Sequence, residues 1–95
     1  LIDKISEKEK IFRKRLIHPL IKRINGKGLM LAIIFDKKII ANTLVLRSLD
    51  EGLLLFWLLW EKKAVRITPP LNISEKEINL GCDIILKILN NYIKV

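Results

Sequence analysis

Two adjacent prolines, Pro69 and Pro70, constrain the layout of this chain more than any other feature. A proline has no amide proton to give a sheet ladder and cannot sit inside a helix, so a pair of them marks a boundary. The apolar run "AVRIT" before them must therefore be a strand that stops, and "LNISEKE" after them must start something new. Ser74-x-x-Glu77 supplies the start, a capping box in which each side chain satisfies the other residue's backbone amide. The last helix that it opens carries Ile78, Ile85, Leu86 and Leu89 on one face. Arg66 stands out against this frame, because it places a fixed charge inside the apolar strand three residues before the prolines.

The remaining elements follow from spacing. Ile2, Ile5, Phe12 and Leu16 recur at helical intervals, predicting an amphipathic helix that His18-Pro19 ends. "LIKRI" alternates apolar and basic residues, and "NGKG" leads into "LMLAIIF". This pattern predicts a hairpin with Asn25-Gly26 in the turn and Gly28 at a bulge or close approach. Asp36 is the expected N-cap of a second helix with Ile40, Leu44, Val45 and Leu49 on its buried face and Gly52 past its end. "LLLFWLLW" reads as a strand, "EKK" as its turn and "AVRIT" as the return strand. The expected fold is α+β: a small, mostly antiparallel sheet with helices on one face, in the order α-β-β-α-β-β-α.

At 95 residues the chain makes one small domain, residues 1–95, which hides about two-thirds of the surface its unfolded form exposes. Its longest apolar run, Leu53–Trp60, has eight residues, against roughly 20 for a membrane-spanning helix. One cysteine cannot form an internal disulfide, and one histidine and one cysteine do not make a zinc site of the usual kind. The chain begins at Leu1 and shows no secretory leader, so it is expected to be a piece of something longer and to be cytoplasmic. The net charge of +8 is concentrated near the start, since residues 1–27 hold nine Lys/Arg against three Asp/Glu. Glutamates alternate with these lysines, however, which is the pattern of a solvated helix face with i,i+4 pairs.

Few residues suggest chemistry. Gly26-Lys27-Gly28 could cradle a phosphate, but it lacks the pattern of a phosphate-binding loop and runs into a strand. His18 reads as a helix stop and Cys82 as a packed thiol. Met30 and Phe35 read as core, and Trp57 and Trp60 as core or interface. Arg66 allows two readings. Strand alternation turns Val65 and Ile67 to one face and Arg66 to the other, where it either pairs with a carboxylate such as Glu61 or receives an anion. A rigid guanidinium beside a proline-stiffened corner suits a bidentate grip on a carboxylate.

Taken in order, "HPLIKRINGKGLMLAIIFD", "DEGLLL" and "AVRITPPLNISEKEI" resemble the C-terminal end of the class III aminotransferases. This family includes the acetylornithine, ornithine, putrescine and 4-aminobutyrate enzymes. The resemblance runs from about Ile2 to Tyr92 and is most specific in "GKGLMLAI" and "VRITPPL". It implies the small C-terminal domain of a fold-type-I enzyme dependent on pyridoxal 5'-phosphate. That domain packs on a large cofactor-binding domain of the same chain, in a homodimer that moves an amino group between an amino acid or diamine and a 2-oxo acid. It also implies that Arg66 binds the substrate carboxylate. The family's Schiff-base lysine and cofactor-binding motifs do not occur here, so none of the 13 lysines is assigned a catalytic role and the piece alone is expected to be inactive and to carry no cofactor.

Two departures from the family pattern matter. Asn25 stands where the family commonly has arginine. Phe56, Trp57 and Trp60 make the segment before Arg66 unusually apolar, either as a wall near the substrate or as a buried interdomain contact. The competing expectation is a stand-alone basic α+β module that binds nucleic acid or a protein partner through its first helix.

Overall fold

The structure is a computed structural model that describes residues 2–53, 55–58, 61–70 and 72–94. The chain forms α1 (Ile2–Arg15), β1 (Ile21–Lys27), β2 (Met30–Phe35), α2 (Lys38–Asp50), β3 (Phe56–Leu58), β4 (Glu61–Ile67) and α3 (Glu75–Lys94), in the predicted order. The strands make one sheet of order β1-β2-β4-β3 with every pairing antiparallel. Alternate residues of the two central strands, Leu31, Ile33 and Phe35 of β2 with Val65 and Ile67 of β4, are buried in one cluster. Phe12 of α1, Leu44 of α2 and Ile78, Ile85 and Leu89 of α3 belong to the same cluster. The helices therefore cover one face of the sheet; the other, open at Asn25 and Arg66, buries Ile34 and Ala64. Among the described residues no helix is long and apolar enough to cross a membrane.

The hairpin turn lies three residues later than the sequence suggests. Asn25 pairs with Ala32, Gly26 with Leu31 and Lys27 with Met30, so Gly28-Leu29 makes the loop. A turn at Asn25-Gly26 would leave the apolar end of β2 without partners on β1. The observed register pairs all of β2 and buries Leu29, which is 5% exposed. Gly28 has φ 65°, and a glycine at the first loop position is what the II′ hairpin turn requires. Gly26 is the point of close approach, with φ 109° and Met30 O in the space a Cβ would occupy.

Three further expectations are corrected. Lys37, not Asp36, is the N-cap of α2, in extended conformation and without a side-chain cap. Asp36 instead lies 3.8 Å from Lys22 on the neighbouring strand β1. On α2 the buried line runs Ile40, Leu44, Ser48, and Leu49, one residue further round, is 61% exposed. "EKK" begins β4 rather than forming a turn, with Leu58 paired to Glu61, so β3 is only three residues long. The C-terminal end of α2 and the start of α3 are as expected. Gly52 N–H bonds Leu49 O at 3.1 Å and Leu53 N–H bonds Ser48 O at 2.8 Å, a Schellman closure with Gly52 at φ 82°. Ser74 N–H donates to Glu77 Oε1 at 3.0 Å and Glu77 N–H to Ser74 Oγ at 3.1 Å, completing the capping box of α3.

Candidate anion-binding site on the open sheet face

Arg66 lies in the middle of the sheet, between buried Val65 and Ile67, and is itself exposed on the open face. The register sets it directly across from Ala32, which pairs in turn with Asn25. A row Asn25–Ala32–Arg66 therefore crosses three strands, and the alanine methyl at its centre leaves room above the sheet. Arg23 and Lys27 flank Asn25 on β1 and are also exposed. Arg23, Lys27 and Arg66 thus set three cations around Ala32 among the described residues of this face. The side chains of Glu61, Phe56 and Trp57 and the whole of Trp60, for which roles were expected, lie outside the described residues.

Beyond Arg66 the strand ends at Ile67, and Pro70 O accepts from Ile73 N–H at 3.1 Å in the turn toward α3. Thus the prolines and the capping box together fix the direction in which the chain leaves the arginine. Behind this corner, on the helical side, is an apolar cleft of about 310 Å³ whose lining includes Phe12, Leu55, Ile67, Pro69 and Ile78.

The glycine-rich hairpin is not a phosphate cradle. Gly28 N–H already donates to Glu9 Oε1 at 2.6 Å. Arg13 donates to Glu9 Oε2 at 2.8 Å, to Ile24 O at 2.9 Å and to Gly26 O at 2.6 Å. The Arg13 hydrogen bond, followed by the Gly28 amide, holds the Glu9 carboxyl below its ordinary value. The sequence shows the i,i+4 spacing of Glu9 and Arg13, but not that the pair fastens α1 to the hairpin, a contact made across the fold. Arg15 similarly reaches Asn79 Oδ1 at 2.5 Å and pairs with Asp83.

The other candidates are structural. His18 Nδ1 accepts from Leu20 N–H at 3.1 Å, which leaves Nε2 as the donor to Asn90 Oδ1 at 2.8 Å. Cys82 is fully buried, and burial pushes its thiol up to about 11. Phe35 is core as expected, whereas Met30 is 74% exposed, because the register turns it to the open face. Among the described residues there is no cluster of His, Cys, Asp and Glu able to hold a metal.

The family model "Aminotransferase class-III" matches residues 1–89. The chain belongs to the class-III aminotransferases. Acetylornithine aminotransferase of Caldanaerobacter subterraneus subsp. tengcongensis is 32% identical over 94 residues, covering 94% of this chain and 23% of that protein. Ornithine aminotransferase of Toxoplasma gondii ME49 superposes with a TM-score of 0.82 at 25% identity, over 97% of this chain and 23% of the other. N-acetylornithine aminotransferase of Stenotrophomonas maltophilia K279a gives 0.82 at 20% identity, over 97% and 27%. This class-III chain thus spans about a quarter of the length of these relatives.

Class-III aminotransferases use pyridoxal phosphate. Among the described residues, the Gly28 amide is taken by Glu9 and the Ser74 and Glu77 amides by the capping box of α3.

Proposed function

We propose that this chain is the small C-terminal domain of a pyridoxal-phosphate-dependent aminotransferase, and that its open sheet face is turned toward the substrate. The enzyme moves an amino group between an amino acid or diamine and a 2-oxo acid, as a homodimer whose cofactor is held by a large domain of the same chain. Arg66 grips the substrate carboxylate. The observation that carries this reading is the setting of Arg66, an exposed guanidinium on a strand whose two neighbours are buried, opposite an alanine on a helix-free face. Buried flanks hold the backbone of β4 still, and a planar fork on a fixed strand loses little freedom when it takes both carboxylate oxygens.

The cofactor supplies the electron sink for the amino transfer, and this chain contributes position and charge. Arg66 brings a fixed positive charge to the face, and the apolar surface of Ala32 lowers the water content around the ion pair. The alternative reading, nucleic-acid binding through α1, has less to support it. Two of the helix's cations, Arg13 and Arg15, are held by Glu9, Asn79 and Asp83 within the fold.

The test is the visible absorption of the longest polypeptide that carries these residues, mixed with pyridoxal phosphate and then with glutamate. A bound-cofactor band that shifts on adding glutamate is expected. A polypeptide that spans the relatives' length and shows no such band would overturn the enzymatic reading.

A further inference from the structure

Strand β2 reads "MLAIIF", and Ala32 is its one small side chain. Leu31, Ile33 and Phe35 are buried in the core, while alternation gives Met30, Ala32 and Ile34 to the opposite face. A strand in the middle of a sheet favours β-branched and aromatic residues, so an alanine there calls for a local cause. At Ala64, also on this face, the cause is close packing, since it is 0% exposed across from Ile34, itself buried. Packing is not the cause at Ala32, which is only half-buried.

Ala32 is instead the direct partner of Arg66 on β4 and of Asn25 on β1. Directly paired residues hold their Cβ atoms about 5 Å apart, and two strand spacings set the Cα atoms of Asn25 and Arg66 about 10 Å apart. The alanine methyl thus floors a gap walled by a guanidinium stem on one side and an amide on the other, both exposed. A carboxylate held by a guanidinium fork sits about 2.8 Å from its nitrogens, a distance that falls within this gap. A branched side chain at position 32 would place its own Cγ atoms there. We infer that Ala32 is a specificity-determining residue, whose small side chain keeps open the space in which the carboxylate gripped by Arg66 settles. The inference rests on the reading of Arg66 as the carboxylate receptor and extends it to the strand alongside. Bulk at position 32 excludes carboxylate substrates and leaves amines without a carboxylate as the better donors.

Steady-state kinetics with glutamate in the full-length aminotransferase test this, using Ala32→Ser, Ala32→Val and Ala32→Leu. KM is expected to climb with side-chain volume, by roughly tenfold or more at leucine, with kcat changing far less, because the space receives the carboxylate and not the reacting bonds. Valine suits a strand, so Ala32→Val is expected to keep the fold in urea unfolding, and Ala32→Thr supplies the same bulk if the valine enzyme does not accumulate. The decisive comparison is a double-mutant cycle. On an Arg66→Ala background Ala32→Val is expected to raise KM no further, since no gripped carboxylate is left to displace. An unaltered KM in Ala32→Leu beside a raised KM in Arg66→Ala would overturn the inference and leave the reading of Arg66 standing. An equal loss from Ala32→Val with and without Arg66 would also overturn it, as the mark of a general disturbance of the sheet. If Arg66→Ala itself leaves KM unchanged, the reading of Arg66 falls and this inference falls with it.

Discussion

Gly26 and Gly28 are two residues apart in one hairpin, yet they answer to different demands. Gly28 supplies a left-handed turn residue with space around it, since the nearest atom to a Cβ placed there is Ile5 Cγ2 at 3.4 Å. Gly26 adds to its positive φ a backbone oxygen where the methyl would stand. Gly26→Ala is therefore expected to destabilise the chain by more than about 2 kcal/mol and Gly28→Ala by about 1–2 kcal/mol, measured by urea unfolding. Glu9 gives a pH signature. Its carboxyl is held below its ordinary value by Arg13 and the Gly28 amide, so the stability it contributes is complete above that ordinary value and is lost as pH falls through the lower folded one. Wild type should exceed Glu9→Gln in stability at pH 7, and the gap should close under strongly acid conditions. A gap that does not change with pH would mean the carboxylate is not what fastens α1 to the hairpin.

The elements show what periodicity can and cannot reveal. Their order and the buried faces of α1 and α3 follow from apolar spacing and capping chemistry, which are local. The hairpin register was not readable, because Asn25-Gly26 is a good turn by itself. What decides against it is how many partners β2 and Leu29 gain, which depends on the whole ladder. The turn expected at "EKK" failed similarly, since β4 reaches back to Glu61 to pair with β3. On α2 the exposed leucines blurred the apolar face, and the fold buries Ser48 in line with Ile40 and Leu44 instead. Ser48 Oγ has no hydrogen-bond partner and the residue is 0% exposed. Ser48→Ala is expected to raise stability by about 1 kcal/mol, because an unsatisfied buried hydroxyl is removed and a better helix former installed. A loss of stability in thermal unfolding would point to a hydroxyl contact made in solution.

For the molecule as a whole, the division into a helix-covered face and an open face matters most. That Arg66 faces away from Val65 and Ile67 was legible from strand alternation alone. Its neighbours on the open face were not, because Asn25 and Ala32 reach it only through two registers of non-local pairing.

The central claim is that Arg66 holds a carboxylate, and steady-state kinetics of Arg66→Ala and Arg66→Lys in the full-length aminotransferase test it most directly, using a carboxylate substrate and an amine donor that lacks one. The account predicts that Arg66→Ala lowers kcat/KM for the carboxylate substrate by an amount equal to about 2–4 kcal/mol. It predicts a similar impairment for Arg66→Lys, because a point charge cannot replace the fork, and little change for the carboxylate-free amine. Equal losses for both substrates, or none for either, would contradict it.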